Sequence, residues 1–313
     1  MKILVTGCAG FIGSHLCEQL LANGEEVIGI DNLNDYYNVE FKNYNLSMLE
    51  PEERFIFLKD DIVTSNCINI YKPDKVVHLA AMAGVRYSLT NPNEYVRNNI
   101  MGTINLLNQC VKNNVQNFVY ASSSSVYGLN KIPFFETDDL KRMNSHYAVS
   151  KKSVEDFCRL YHQLYKLNVI GLRFFTVYGP SCRPDMAPFK FLKNIIDNKE
   201  IIVYGDGFSM RDYTYIDDII DGIILALINK NNDKCEIYNL GYNKPIILND
   251  FIKTCEKVCG KKAKIKYIEN QKGDVPLTYA NIDKARKNLG YNPKVDLNKG
   301  LQNTYNWIKH LKN

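Results

Sequence analysis

Long apolar runs are absent from this sequence of 313 residues. No window approaches the roughly 18 uninterrupted apolar residues that a membrane-spanning helix needs, so no membrane span is expected. The first residues, Met1-Lys2-Ile3-Leu4-Val5, enter a strand pattern directly and lack the charged and apolar regions of a signal peptide. We therefore expect a cytoplasmic protein.

Runs of like charge and metal-binding cysteine motifs are also missing. The 39 basic and 34 acidic residues are scattered, so the net charge of +5 offers no stripe for nucleic acid and only weakly favours a small anionic ligand. The nine cysteines form neither a CxxC pair nor a zinc-ligand spacing, which fits reduced thiols in a cytosolic protein. We expect no metal, nucleic-acid or membrane partner.

The apolar residues that are present, 45% of the chain, can bury a substantial core, which favours a globular enzyme. In the first half, short apolar runs alternate with segments of helical periodicity, a pattern typical of a parallel sheet with crossover helices. The pattern predicts an α/β fold with a doubly wound, Rossmann-type parallel sheet. Strands are predicted at 2–6, 26–31, 55–59, 75–79, 117–122 and 168–174, and helices at roughly 12–23, 94–113 and 147–166.

A glycine-rich turn follows the first predicted strand. Gly7, Gly10 and Gly13 would let the backbone approach a pyrophosphate at a helix N-terminus, although a purely structural turn would use glycine too. Asp31 ends the second strand roughly 20 residues on, where a carboxylate accepts from ribose hydroxyls and repels a 2′-phosphate. This pattern predicts NAD rather than NADP. Asp61-Ile62, after the third strand, would hold the adenine edge or simply form a turn.

Beyond Gly179-Pro180 the predicted elements become shorter. We predict an NAD-binding Rossmann domain over 1–178 and a smaller C-terminal α/β substrate domain over 179–313. The two are expected to interleave, because the segment at about 213–241 has the apolar pattern of elements that return to the main sheet.

Tyr147 and Lys151 stand four residues apart at the start of a predicted helix, so they share one face. Tyrosine has an unperturbed pKa of about 10, but a neighbouring ammonium and a cationic nicotinamide would favour the phenolate as a base. A core tyrosine beside a surface lysine is the ordinary alternative. The serine run at 122–125 ends a strand and opens into the same crevice, where a hydroxyl would relay a proton, unless the run is only a polar loop.

These residues together resemble the extended short-chain dehydrogenase/reductase family, and within it the nucleotide-sugar epimerases, over essentially the whole chain. The matching segments are VTGCAGFIGSHL at 5–16, HLAAMAGVRYS at 78–88, NIMGT at 99–103, SSSSVYG at 122–128, YAVSK at 147–151, RFFTVYGP at 173–180 and RDYTYIDD at 211–218. The resemblance implies that Ser123, Tyr147 and Lys151 are the catalytic trio. It adds further NAD contacts at Phe11, Ile12, Asn32, Leu79, Ala80, Ala81 and Asn99, and gives Tyr147 and Lys151 a place beside the cofactor.

The reaction implied by the resemblance inverts carbon 4 of a UDP-sugar. The phenolate takes the proton of the sugar hydroxyl while the ring carbon passes hydride to NAD. The resulting 4-keto sugar turns over, and the hydride returns to its opposite face.

Several positions distinguish members of the family. Dehydratases carry Asp-Glu and decarboxylases carry Glu where this chain has Ser124-Ser125. Thr176 replaces the Asn of galactose-type epimerases, and Gln271 stands where those enzymes have a phosphate-binding Arg. These departures resemble the subfamily that acts on UDP-glucuronate. The alternatives are a UDP-glucose or UDP-N-acetylglucosamine 4-epimerase, a 4,6-dehydratase, a UDP-glucuronate decarboxylase, or an inactive NAD-binding scaffold.

Substrate contacts are predicted chiefly from cations. Arg86, Arg183, Lys190 and Arg211 are candidates for the diphosphate or carboxylate, and Arg211 is favoured by the resemblance and by its forked guanidinium. Each of the others would otherwise be a solvated or paired surface cation, and Lys190 would pair with Asp185. The resemblance adds Ser124, Ser125, Thr176, Asp274 and the pocket-size position Thr278. In the family the helices at 94–113 and 147–166 form a four-helix bundle, which implies a homodimer.

Overall fold

The computed structural model describes residues 1–229, 235–271 and 273–311. In chain order its strands are β1 (Lys2–Thr6), β2 (Glu26–Asp31), β3 (Phe55–Lys59), β4 (Lys75–His78), β5 (Asn117–Ser123), β6 (Val169–Phe174), β7 (Thr176–Tyr178), β8 (Glu200–Tyr204), β9 (Met210–Tyr215), β10 (Cys235–Leu240), β11 (Pro245–Ile247) and β12 (Lys264–Ile268).

The helices of the described residues are α1 (Phe11–Ala22), α2 (Val39–Leu49), α3 (Cys67–Tyr71), α4 (Val85–Thr90), α5 (Pro92–Tyr95), α6 (Gly102–Lys112), α7 (His146–Tyr165), α8 (Ala187–Ile196), α9 (Ile216–Leu227), α10 (Leu248–Cys259), α11 (Asp283–Leu289) and α12 (Leu297–His310). A π-helix spans Val96–Met101, and a 3₁₀-helix spans Ser124–Tyr127. Within the described parts of the chain, no helix is long and apolar enough to cross a bilayer.

Seven parallel strands form the main sheet, in the order β3-β2-β1-β4-β5-β6-β10. Both faces are covered, and alternate residues enter different cores: Ile3 and Val5 pack on the side of α1 and α9, whereas Leu4 packs on the side of α6 and α7. The strand order reverses between β1 and β4, which opens a crevice at their carboxyl ends. The predicted Rossmann-type fold is confirmed.

The predicted elements of the first half agree closely with the structure, with one exception. The strand boundaries match within one residue, and the helices predicted at 12–23 and 147–166 are α1 and α7. The helix predicted at 94–113 is instead α5, the π-helix and α6 in succession. Asn99 lies in the π-helix and bonds to the backbone of Met82 outside it, an anchor that a regular surface helix does not have.

The second half forms two small sheets beside the carboxyl ends of the main strands. One has the order β11-β9-β7, and the other pairs β12 with β8 in parallel. The segment at 213–241 contains α9, which contacts α1, and β10, which pairs with β6. Residues 230–234 of that segment lie outside the described residues. The chain therefore visits the small sheets at β7–β9 and then contributes the last strand of the main sheet.

Candidate active site

The glycine turn packs too tightly for a side chain at Gly7 or Gly13. Gly7 has a φ of +73°, and a Cβ on it would lie 2.9 Å from the amide nitrogen of Ala80. A Cβ on Gly13 would lie 2.0 Å from the carbonyl oxygen of Gly7. The turn leads into α1 at Phe11. Free backbone N–H groups and the positive end of the helix dipole therefore face the crevice, as a pyrophosphate requires.

Asp31 is fixed at the end of β2 and is only 8% exposed. Its carboxylate accepts from the amides of Leu33, at 2.9 Å, and Ala9, at 3.3 Å. Lys42 on α2 brings its Nζ to 3.6 Å from the same carboxylate and donates to the backbone oxygen of Asn34 at 3.0 Å. This local geometry suits a ribose with two free hydroxyls. Lys42 was not predicted, because a lone lysine on an amphipathic helix carries no sequence signal.

A cavity of about 460 Å³ joins the glycine turn to the serine run. Most of the residues predicted to bind the cofactor or carry the chemistry line it: Gly7, Gly10, Phe11, Ile12, Gly13, Asp31, Asn32, Ile62, Leu79, Ala80, Ala81, Ser123, Tyr147 and Lys151. The lining also includes Asn34, Tyr36, Tyr37, Lys42, Met82, Gly84 and Asp185, which were not predicted. Tyr36 and Tyr37 lie in the segment NLNDYY at 32–37, and its position directly after Asp31 was the available signal.

The three candidate catalytic residues converge at one end of this cavity. Ser123 ends β5, and Ser145 caps α7 by accepting from the amide of Ala148 at 3.1 Å. That cap begins the helix just before Tyr147, so Tyr147 and Lys151 follow one turn apart. Ser123 lies near enough to Tyr147 to lower the pKa of its phenol, and Lys151 Nζ donates to the backbone oxygen of Ala121 at 2.8 Å.

Burial controls the ionisation of both groups on α7. It raises the pKa of Tyr147, against the opposing effects of the Ser123 hydrogen bond and the Arg183 charge. It lowers the pKa of Lys151 to about 8. We expected the Lys151 ammonium to lower the pKa of Tyr147. Within the protein, Ser123 and Arg183 lower the pKa of Tyr147 instead, because the Lys151 ammonium donates to the backbone oxygen of Ala121.

Two predicted cofactor residues lie behind the cavity wall rather than in it. Asp61 pairs with Arg97 at 2.7 Å and accepts from the amide of Val63, so Asp60 lines the cavity in its place. The side-chain amide of Asn99 donates to the backbone oxygen of Met82, at 3.0 Å, and to Ser150, at 2.9 Å. Asn99 therefore ties the π-helix to the cavity loop and to α7.

Four predicted substrate residues do line the cavity: Ser124, Ser125, Thr176 and Arg183. Ser125 donates its amide to Ser123 Oγ at 3.1 Å, so the serine run is a compact turn. Arg183 pairs with Asp185 at 2.6 Å and donates to the backbone oxygen of Ala83 at 3.2 Å. Its guanidinium lies over the ring of Tyr36, 5.2 Å from the centroid.

The other predicted substrate residues lie outside this cavity. Arg86 pairs with Asp274 at 2.9 Å and stacks on Tyr204, with its guanidinium 4.3 Å from the ring centroid. Arg211 is within electrostatic reach of both Arg86 and Asp274, and burial lowers its pKa. These residues form a second polar cluster, which we call the Arg86–Arg211 cluster.

Thr278 and Lys190 have different surroundings. The Thr278 hydroxyl accepts from the amide of Asp212 at 3.3 Å and is buried. Lys190 is exposed on α8 and does not line the cavity. The alternative pairing of Lys190 with Asp185 is wrong, because Arg183 holds the Asp185 carboxylate through two hydrogen bonds.

Known proteins share both the sequence and the architecture. The model of the NAD dependent epimerase/dehydratase family matches residues 3–241. The UDP-glucuronate 4-epimerase of Thermodesulfobacterium geofontis is 45% identical over 98% of this chain and 95% of its own. UDP-glucuronate 4-epimerase 4 of Arabidopsis thaliana is 42% identical over 98% of this chain and 75% of its own.

Among solved structures, a crystal structure of UDP-glucuronic acid 4-epimerase from Bacillus cereus, in complex with UDP-glucuronic acid and NAD, is similar to this fold. It is 40% identical, with a TM-score of 0.96, and the match covers 99% of this chain and 100% of that one. The similarity thus extends over both the main sheet and the small sheets.

Proposed function

Because this chain belongs to the NAD dependent epimerase/dehydratase family, we propose that it interconverts UDP-glucuronate and UDP-galacturonate through a 4-keto intermediate. One observation carries the proposal: Ser123, Tyr147 and Lys151 meet in the same cavity as the glycine turn and Asp31. The base, the proton relay and the dinucleotide site thereby share one cavity.

The backbone of the glycine turn gives the cavity a shape that suits NAD. A Cβ on Gly7 would clash with the backbone of Ala80, and one on Gly13 with the backbone of Gly7, so glycine permits the tight turn whose N–H groups would face the pyrophosphate. Asp31 would accept from the adenosine ribose, and Lys151 would donate to the nicotinamide ribose. When bound, NAD supplies the acceptor and later the donor of the hydride on carbon 4.

The protein's own side chains move the proton. Tyr147, as phenolate, takes the proton of the 4-hydroxyl, with the Ser123 hydroxyl bridging the two oxygens. On the return step Tyr147 gives the proton back to the ketone oxygen, so the phenolate is regenerated. Lys151 contributes a charge that stabilises the phenolate when its ammonium turns from Ala121 toward the ribose.

The sugar carboxylate is assigned to the serine run and its neighbours. Ser124, Ser125 and Thr176 line the cavity with small hydroxyls, and Arg183 brings a positive charge to the same wall. A 4-keto uronate is a β-keto acid, which loses carbon dioxide when its carboxylate stands perpendicular to the ketone. Several short hydrogen-bond donors hold the carboxylate near the ring plane and so favour epimerisation. No carboxylic acid stands at 124–125 to support dehydration.

The diphosphate is assigned to the Arg86–Arg211 cluster. Arg86 and Arg211 are within electrostatic reach of each other, and the forked donors of two guanidinium groups suit phosphate oxygens. Arg86 would exchange its ion pair with Asp274 for a phosphate. By resemblance Thr278 is the pocket-size position, and its small side chain keeps a 2-acetamido sugar among the substrates to be tested.

We also propose a cytoplasmic homodimer. The residues of α7 and the π-helix leave large apolar side chains exposed: Val96, Met101, Val149, Leu160, Leu164 and Tyr165. The two elements contact each other, and large exposed apolar side chains on neighbouring elements are typical of a protein interface. All nine cysteines are free thiols, which fits a reducing compartment.

Incubation with UDP-sugars tests the activity. The protein is mixed separately with UDP-glucuronate, UDP-glucose and UDP-N-acetylglucosamine, and the anomeric proton signals are followed by NMR. We expect UDP-galacturonate from the first and little conversion of the others. A product lacking the carboxylate, a stable 4-keto-6-deoxy sugar, or exclusive conversion of a neutral sugar would contradict the proposal.

A further inference from the structure

Tyr95 contacts the ring of the candidate base, Tyr147. It ends α5 and is completely buried. Its ring meets the ring of Tyr147 edge to face, with centroids 6.1 Å apart and planes at 72°. Aromatic pairs prefer this geometry, and it restricts both rings. Tyr147 lies in the first turn of α7, so the Tyr95 ring supplies a lateral contact that the helix itself does not provide.

The hydroxyl of Tyr95 has a separate partner in the cavity wall. It donates to the backbone oxygen of Gly84 at 2.7 Å. Gly84 lines the cavity with a φ of +137°, and a Cβ there would lie 2.5 Å from the Tyr36 hydroxyl oxygen. Gly84 is thus held between the hydroxyl groups of Tyr95 and Tyr36. Tyr95 therefore connects the base to the loop that faces it.

The remaining neighbours of Tyr95 continue this cluster away from the base. Tyr87 packs against Tyr95 with centroids 6.4 Å apart, and Tyr36 packs against Tyr87 at 5.1 Å. Tyr87 has no ring contact with Tyr147 among the described residues. The cluster thus offers one ring that touches the base and a similar ring that does not.

We propose that Tyr95 is a positioning residue, whose ring fixes the orientation of the Tyr147 phenol and whose hydroxyl fixes the cavity wall at Gly84. The inference rests on the proposed function, since it gives Tyr147 the role of base. Proton transfer needs the two oxygens within hydrogen-bond distance, and small displacements of such groups cost large factors in rate. The first effect uses the ring of Tyr95, and the second uses its hydroxyl group.

Two substitutions at one position separate the ring from the hydroxyl. Tyr95→Leu removes both, and we expect kcat to fall by about tenfold or more while KM changes by less than about threefold. Tyr95→Phe keeps the ring, so kcat should stay within about twofold of the wild type while KM rises by about fivefold, the effect of one lost hydrogen bond. This split between kcat and KM would not arise from a general loss of folded protein.

Tyr87→Leu is the matched control, because it removes a ring of the same cluster that does not touch Tyr147. Its kcat should stay within about twofold of the wild type. Thermal unfolding and NAD binding, measured by fluorescence, confirm that each variant is folded and loaded. An equal loss of kcat in Tyr87→Leu and Tyr95→Leu, or an unchanged kcat in Tyr95→Leu, would overturn the proposal.

A second measurement does not depend on turnover. The tyrosinate absorbance of each protein, minus that of the same protein carrying Tyr147→Phe, reports the ionisation of Tyr147 alone. Burial is the main cause that raises the pKa of Tyr147, so water entering beside the smaller leucine side chain of the Tyr95→Leu variant should lower that pKa. The value should not change in Tyr87→Leu. If the wild type converts no UDP-sugar, the proposed function fails, whereas an unchanged Tyr147 titration in Tyr95→Leu overturns the positioning contact itself.

Discussion

The hydroxyl of Tyr147 is the atom on which the proposed chemistry depends. Removing it should lower kcat by about a hundredfold to ten-thousandfold, the usual range for a general base. We expect Tyr147→Phe to bind NAD with unchanged affinity, because the ring and the glycine turn remain. Turnover of UDP-glucuronate and the affinity for NAD, determined by isothermal titration calorimetry, are the two measurements.

Tyr44→Phe provides the control for that substitution. Tyr44 is 41% exposed on α2 and does not line the cavity, so activity should be unaffected. Full activity in Tyr147→Phe would show that another group is the base.

The lowered pKa of Lys151 predicts that activity declines at alkaline pH. Burial lowers its pKa to about 8, so the ammonium is lost as the pH rises past that value. We expect kcat to decrease above about pH 8 and the decrease to move to higher pH in Lys151→Arg, whose guanidinium stays protonated. The measurement is the pH profile of kcat for both proteins. If kcat falls at the same alkaline pH in the wild type and in Lys151→Arg, Lys151 is not the cause of the decrease.

The same lowered pKa has a consequence for stability with a definite sign. The unfolded chain keeps Lys151 protonated to about pH 10.4, whereas the folded protein releases the proton near pH 8. Between these values the unfolded state binds more protons, so this group's destabilising effect is complete below pH 8 and is relieved as the pH rises.

At the level of elements, a buried ion pair joins α7 to the main sheet. Arg173 on β6 binds Glu155 on α7 through two bonds of 2.8 Å, and Ser122 on β5 donates to the same carboxylate at 2.6 Å. Both charged side chains are at most 3% exposed. The pair fixes the helix that carries Tyr147 and Lys151 against β6, and the Ser122 bond fixes it against β5, the strand that carries Ser123.

Breaking that pair should destabilise the fold strongly. Glu155→Ala leaves the Arg173 guanidinium buried without its counter-charge, at a cost of about 3–5 kcal/mol in the free energy of unfolding. The double variant Glu155→Leu with Arg173→Met should lose less, because it buries no charge. Urea denaturation measures both. If Glu155→Ala lowers the free energy of unfolding by less than about 1 kcal/mol, the pair contributes little to the stability of the fold.

The elements themselves were predictable where one periodicity dominates. Strands β1 and β2 match their predicted bounds because both faces are buried after the first residue, and edge strand β3, which is only partly buried, matches because its apolar run FIFL is uninterrupted. The π-helix was missed because its cause is non-local: Asn99 bonds to Met82, 17 residues earlier in the chain. Lys42 and Tyr95 were missed for the same reason, since their partners Asp31 and Tyr147 are set by the fold. Spacing along the chain gives no indication of such contacts.

At the scale of the whole molecule, the exposed apolar face of α7 predicts self-association. Leu164 is 61% exposed there, so Leu164→Glu should convert a dimer of twice 36.0 kDa into a monomer of that mass. Leu129→Glu, at a side chain that is 50% exposed outside α7 and the π-helix, is the control and should leave the dimer intact. Sedimentation velocity gives the masses. A wild-type protein that sediments only as a monomer would contradict the proposal.

The return of the chain at β10 means that this protein cannot be divided by cutting it once. A fragment ending at residue 178 would lack the strand that pairs with β6 from Val169 to Phe174, leaving that edge's N–H and C=O groups without partners. Such an open edge is a template for pairing with another molecule, so the isolated amino-terminal half would tend to aggregate. Truncation intended to isolate a cofactor-binding module must therefore keep the strand at 235–240 by circular permutation or by fusion.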